Sequence, residues 1–524
     1  MDPISLEVMK NAFTFVPEEM GQALRRTSYS PNIKERMDAS CAIFDALGRM
    51  VTQAEHIPVH LGSMPLAIQA IQGHLPDPLE EGDQVILNDP YRGGSHLNDI
   101  TLIKPVFWEE ELVGYVANKA HHADVGGIAP GSMPTGSRTL FEEGVVFSPQ
   151  RFLARGRMDP LVAERVRKGM RDPRERMGDL RAQVAANNTG DRRFRAYLAK
   201  YGRPSFEEFA EEIMTYSERR VRRALQGAPD GTFEAEDQLD DDGVFDEPLP
   251  LRTRVTVKGE DVTVDFAETS QQSSGNVNAP YAVTLSSVYY ALRTLTDPGA
   301  PPNEGCYRAI RVTVPEGSLL NPRKPAAVAA GNVETSQRIV DVLLRAFEEP
   351  LPAIVPAQSQ GTMNNLLIGG KRGEREFAYY ETIGGGEGAL PFRDGMSGVQ
   401  THMTNTLNTP VEALETAYPF RVEEYRLRKS SGGPGRFRGG LGIRRSIRFL
   451  GERGTASLIT ERRRFPPRGL RGGLDGKPGE NVLLRGEDRL PLPSKTTIGL
   501  RKDDIIVMAT PGGGGWGTPD GEIG

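Results

Sequence analysis

At 524 residues the chain exceeds the size at which a single hydrophobic core keeps growing, so two or more domains are expected. Its hydrophobic share of 38%, its mean hydropathy of -0.43 and the lack of any run near the roughly 18 apolar residues of a membrane span speak against a membrane protein. A net charge of -6 leaves no basic footprint for nucleic acid, and two cysteines are too few for a disulfide framework, which points to a cytoplasmic protein.

The first element in chain order is an amphipathic helix over 5–27, with apolar Leu6, Met9, Phe13, Val16, Met20 and Leu24 three or four residues apart and Pro17 set to kink or restart it. SCAIFDALGRMVTQ follows as a hairpin turning at Asp45 to Arg49. Gly62 to His74 reads as a helix and Gln84 to Leu87 as a short strand. The loop NDPYRGGSHLND leads into a second hairpin. Its arms are Ile100 to Phe107 and Leu112 to Lys119, rich in β-branched residues, and its turn is polar.

From about 150 to 228 the pattern is helical, with Ser205 and Glu208 forming a capping signal before Phe209. Residues 229–246 are acidic and glycine-bearing, the mark of a boundary. Strands are expected at Arg252 to Val257 and Asp261 to Phe266, and helices at Ser286 to Arg293 and Gln337 to Phe347. Beyond about 415 come short strands punctuated by glycine loops, such as SGGPGRFRGGLG and PGGGGWG. Glycine and proline, 59 and 39 residues, are both above their usual shares. The expected fold is therefore mixed α/β (α+β), multi-domain and loop-rich, with mixed β-sheets and a helical insert. Its regions would be 1–150, 151–228, 229–415 and 416–524.

Six of the seven histidines (His56, His60, His74, His96, His121 and His122) fall between 56 and 122, where an even spread would put about one. If the second hairpin turns at Glu109 and Glu110, antiparallel partners sum to about 219, and Asp99 lies beside Ala120 and His121 at the open end. Gly93 and Gly94 let the loop bring His96 back to the same place. Two imidazoles and a carboxylate without thiolate suit zinc, manganese or iron(II), and such an ion makes hydroxide available near neutral pH. His122 with Asp124 reads instead as a proton-transfer pair, while His56, His60 and His74 read as structural. The run IGGGEG at 383–388 lacks the lysine and hydroxyl of a phosphate loop, so any ATP would be bound by another chain.

The blocks LRRTSYSPNIKERMDASCAIFD, NDPYRGGSHLND, HHADVGG, DLRAQVAANNTG, VETSQRIVDV and THMTNTLNTPVEALE resemble, in order and over nearly the whole chain, the hydantoinase B and oxoprolinase family. That family also includes the large subunits of acetone and acetophenone carboxylases. The resemblance implies a hetero-oligomer in which a hydantoinase A-like partner binds ATP with Mg and phosphorylates a carbonyl, and this chain opens a small cyclic amide such as a hydantoin or 5-oxoproline. It also implies Glu35, His96, Asp99 and His121 as ligands of a divalent transition metal, with Asp38 or His122 moving the proton. An ATP-dependent ketone carboxylase is the alternative activity, and a non-catalytic stabilising subunit the alternative of another class.

Overall fold

A computed structural model describes residues 1–54 and 57–519; the structural reading of His56 lies outside the described residues. The chain opens with helix α1 (Pro3–Thr27), which Asp2 caps by accepting from the N–H groups of Ile4 and Ser5. The helix runs on through Pro17 rather than restarting there, and Met9, Phe13, Val16, Met20 and Leu24 form its buried stripe. A single turn, α2 (Pro31–Lys34), leads into β1 (Ala39–Asp45) and β2 (Met50–Ala54), the expected first hairpin. Then follow α3 (Ser63–His74), β3 (Gln84–Leu87), β4 (Asp99–Trp108), β5 (Glu111–His121), a short α4 (Leu140–Glu143), β6 (Gln150–Ala154) and β7 (Arg157–Met158).

These seven strands form one sheet in the order β2-β1-β5-β4-β3-β6-β7, with every neighbouring pair antiparallel. Because side chains alternate across a strand, the sheet feeds two cores. Cys41 and Ile43 of β1 and Val116 and Ala120 of β5 pack with α1 and with the long helices α6 (Pro173–Tyr201) and α7 (Arg203–Leu225). Ala42, Phe44, Tyr115 and Ala117 join the central core on the other face.

Helices dominate 151–228 only after β6 and β7 have completed the sheet, beginning with α5 (Pro160–Gly169). The capping signal at Ser205 is not used. Gly202 is the cap of α7, and Pro204 sits in its first turn, so the helix starts before the serine. The acidic stretch after α7 holds a strand, β8 (Gly231–Leu239), which pairs with β9 (Leu249–Lys258). With β10 (Asp261–Asp265) and β11 (Ile310–Thr313) it makes a second sheet, packed by α8 (Tyr281–Leu295) and α9 (Ser336–Ala346).

The remaining strands are β12 (Asn365–Arg372), β13 (Arg375–Thr382), then, after α10 (Val411–Ala417), β14 (Phe420–Leu427), β15 (Ile443–Phe449), β16 (Arg453–Ile459), β17 (Glu480–Arg485), β18 (Asp488–Leu492), β19 (Lys495–Arg501) and β20 (Ile505–Ala509). They form two antiparallel sheets, β13-β12-β16-β19 and β14-β15-β20-β17-β18, around a shared core that includes Leu366, Ile368, Ile447, Phe449 and Ile506. The IGGGEG run is spent on packing: a Cβ on Gly386 would lie 2.0 Å from the carbonyl oxygen of Gly440 and 2.2 Å from the amide of Gly513. No helix among the described residues is long and apolar enough to cross a membrane.

Glu143 at the end of α4 ties the first sheet to the segment before α9. Its carboxylate accepts from the N–H groups of Val328 and Ala329 and from the Ser137 hydroxyl. Burial is the largest influence on it and pushes its pKa from 4.5 up to about 8. A carboxyl raised in the folded state contributes stability that is complete below its unfolded pKa and is lost as pH rises through the folded value. Glu143→Gln keeps an acceptor on the same donors but removes the titration. Urea denaturation between pH 5 and 8 should show the wild type losing stability relative to this variant by about 1.4 kcal/mol per pH unit; parallel pH profiles would refute the assignment.

Candidate metal centre

The site grows from the β4–β5 hairpin. Glu109 and Glu110 make its two-residue turn with positive φ angles of 52° and 69°. A bulge between Val106 and Phe107 then shifts the register, so Asp99 pairs directly with His121 and Ile100 with Ala120. The sequence-based sum of 219 holds at the turn, and 220 beyond the bulge. Since neighbouring side chains of a strand face opposite ways, His121 and His122 part company here. His121 looks into the central core with Lys119, and His122 points toward α6 as Asn118 does.

His96 reaches the same place along the β3–β4 loop. Gly93 turns that loop with φ +86°, and a Cβ there would sit 2.6 Å from the backbone carbonyl of Leu66 on α3. Asn88 fixes the loop from below, donating to the carbonyls of Leu97 and Val145, and Asn98 donates to those of His122 and Gly131. His96 Nδ1 stands 3.0 Å from Asp99 Oδ2, and His121 Nδ1 3.4 Å from Asp99 Oδ1.

All three side chains are buried, and each offers a ligand atom within 4.8 Å of the other two. Ligands of one ion at about 2.1 Å can be no more than about 4.2 Å apart, so a small rotamer adjustment suffices. Both ring nitrogens of His96 and Nε2 of His121 lack a hydrogen-bond partner, which is costly for buried imidazoles with no ligand to serve. The residues present therefore fit a divalent transition metal.

Of the two carboxylates before β1, the backbone brings Asp38 in. The His121 N–H donates to the Asp38 carbonyl at 3.0 Å, and Asp38 Oδ2 lies 4.0 Å from His121 Nδ1. Neither Asp38 nor Glu35, the half-buried C-cap residue of α2, is in the three-residue cluster. His122 shares a hydrogen bond with Gln183 of α6 at 2.9 Å, and burial lowers its pKa to about 4. Its supposed partner Asp124 is held elsewhere, accepting from the N–H groups of Gly126 and Gly131 and from Arg171. His74 bonds the carbonyl of its own helix at Ala70.

Several groups around Asp99 escaped the sequence reading. His60 shares a hydrogen bond with Ser40 at 2.8 Å through Nδ1 and stands 3.4 Å from Asp99 Oδ2 through Nε2, so it adjoins the cluster rather than serving a remote structural role. The Ser95 hydroxyl donates to Asp99 Oδ2 at 2.6 Å, and Lys119 donates to Ser95 at 3.4 Å. Burial alone would raise the Asp99 pKa, but the imidazoles of His96, His60 and His121 around it hold it well below the usual carboxylate range. Burial lowers the Lys119 ammonium to about 8 against the opposing pull of Asp99. From β13, Tyr380 stacks on His121 with centroids 4.6 Å apart and donates to Asn365, while Arg36 donates to the Tyr380 carbonyl at 2.7 Å and to the Thr382 hydroxyl. Only Ser95, beside His96 in the SHLND block, carried any local signal.

Gly93→Ala should cost about 2–4 kcal/mol in urea denaturation, because the new Cβ meets rigid backbone at a positive φ. An unchanged midpoint would mean that the loop does not bend against α3 as described.

The hydantoinase B/oxoprolinase family model matches residues 2–519. The chain is 43% identical to an uncharacterised protein of Methanocaldococcus jannaschii, over 99% of this chain and 91% of that one. It is 39% identical to 5-oxoprolinase 1 of Arabidopsis thaliana over 99% of its own length but only 42% of the plant protein. The crystal structure of the ATP-dependent caprolactamase from Pseudomonas jessenii superimposes with a TM-score of 0.92 at 28% identity, covering 99% of this chain and 91% of that one.

Proposed function

The chain belongs to the hydantoinase B/oxoprolinase family, and on that premise we propose that it is the metal-dependent, ring-opening subunit of an ATP-dependent cyclic amide hydrolase. The observation that carries the reading is the buried set His96, Asp99 and His121, whose ligand atoms lie within 4.8 Å of one another. Asp38 supplies the fourth ligand in this proposal, since its carboxylate is buried and 4.0 Å from His121. A divalent zinc, manganese or iron ion held there supplies Lewis-acid activation of water and of an acyl oxygen.

The protein groups then have separable tasks. His60 and Ser95 orient the Asp99 carboxylate, and Tyr380 holds the plane of His121 by stacking. Arg36, clamped between α2 and β13, keeps the Asp38 segment against the cluster. Burial of the whole set keeps bulk water away from the reacting carbon.

The substrate proposed is a small cyclic amide, supported by the likeness to a caprolactamase and to 5-oxoprolinase. Activation by ATP with Mg is assigned to a hydantoinase A-like partner. The same block makes up most of one relative and two fifths of another, which favours a unit that works beside further protein, either fused or as a separate chain. The resulting hetero-oligomer is proposed to act in the cytoplasm, in keeping with only two cysteines, both buried.

The test reconstitutes the metal-loaded chain with its ATP-binding partner and follows phosphate and ring-opened product from 5-oxoproline, hydantoin and caprolactam. The isolated chain should not hydrolyse ATP. Asp38→Asn should lower product formation by more than about 100-fold, beyond the cost of losing an outer-shell group, while Glu35→Gln stays within a few-fold of wild type. Equal damage from both variants would restore Glu35 to the ligand set. Turnover only with a ketone and bicarbonate would overturn the hydrolytic reading, and robust ATPase activity of the chain alone would overturn the division of labour.

A further inference from the structure

A cleft of about 500 Å³ opens between the start of α6 and the β12–β13 hairpin. That volume suits a small organic ligand. Arg176, 1% exposed, forms part of the lining. Its Nη2 pairs with Glu175, but Nε and Nη1 have no hydrogen-bond partner. The next carboxylate, Asp179, has its Oδ2 4.0 Å away and without a hydrogen-bond partner, and spends Oδ1 on the N–H groups of Tyr29 and Ser30. A buried guanidinium with unused donors is an expensive arrangement unless something accepts from them.

Of the lining acids, Glu376 stands exposed with no partner for its carboxylate among the described residues, and the other charges are largely committed. Arg171 and Asp124 pair with each other, and Asp172 caps α6. The Arg375 side chain, exposed at the mouth, makes no hydrogen bond or ion pair among the described residues, and it shares the cleft with the N-terminal end of α6, whose dipole favours an anion. The wall is aromatic: Phe377 and Tyr418 lie with ring centroids 5.7 Å apart, and Tyr29 stands 69% exposed at the edge.

We propose that this cleft is a second ligand site, for a small organic carboxylate whose anionic head bonds Arg176 and Arg375 and whose apolar body lies on Phe377 and Tyr418. Burial of the head beside Arg176 gives the pairing its strength, because charge-assisted hydrogen bonds gain as water is excluded. The flat wall selects a carboxylate with an apolar body over inorganic phosphate. The site is independent of the metal and of the reading of the catalytic reaction.

Isothermal titration of the full-length chain with benzoate, and separately with inorganic phosphate, tests this. Benzoate should bind saturably at one site per chain, with the same affinity in zinc-loaded protein and in protein stripped with chelator and dialysed. Arg176→Gln should weaken binding at least ten-fold with thermal midpoint and near-ultraviolet circular dichroism preserved. Should that variant not fold, Arg375→Ala and Phe377→Ala, both at accessible positions, should each weaken it several-fold. Absence of saturable benzoate binding to the wild type, or wild-type affinity in the folded variants, overturns the proposal. Phosphate binding as tightly as benzoate would overturn the assignment of ligand class, and benzoate binding lost on stripping the metal would move the ligand to the other site.

Discussion

Pairing of Asp99 with His121 at the open end of the β4–β5 hairpin is the contact on which the proposed metal centre hangs. It is a backbone constraint. Ten residues of β4 and eleven of β5 hold it through a ladder of antiparallel bonds, and the bulge at Val106 sets the register by one residue. Without that shift Asp99 would face Ala120, and the carboxylate would lie across from the wrong side of the strand. The loop carrying His96, the β1 segment carrying Asp38 and the turn carrying His60 all close onto a point that this pair defines.

Around that point the protein spends much of its interior on polar groups. Ser95, Lys119, Asn98 and Asn88 are all buried, and each has a partner that fixes the loop or Asp99. Such a network is worth its desolvation cost only where orientation matters more than stability, as at a site that must hold several donors within a few tenths of an ångström. The two unsatisfied regions of greatest interest lie on opposite faces of one sheet. His96 and His121 leave nitrogens free toward the central core, and Arg176 leaves its donors free on the helix side. Period-two alternation in β5 separates them.

Much of the centre was legible because it is local. Alternating β-branched residues with a polar turn announced the hairpin, and Gly93 with Gly94 announced the bend that returns His96. Contacts made across the fold were not legible. Asp38 meets His121 through strand pairing between segments 83 residues apart, and a sequence shows no reason to prefer it over Glu35 three residues earlier. His60 looked like any core histidine, for nothing near it in sequence hints at Ser40 or Asp99. The β8 strand was masked by its own acids. Glu234 and Glu236 face solvent and pair with Arg254 and Arg252 across the ladder, so the segment read as a charged boundary. At Ser205 the reverse happened, a local signal overruled by Gly202 three residues before it and Pro204 immediately before it.

The central claim is that one metal ion sits where β4, β5 and the His96 loop converge. Anomalous diffraction from crystals of the metal-loaded protein, collected at the absorption edge of the bound element, locates that ion directly. The account predicts one strong peak per chain within bonding distance of His96, Asp99, His121 and Asp38, with Glu35 outside the coordination shell. No peak there at full metal loading, or a peak bound by Glu35 or by His122 in place of these residues, would contradict it.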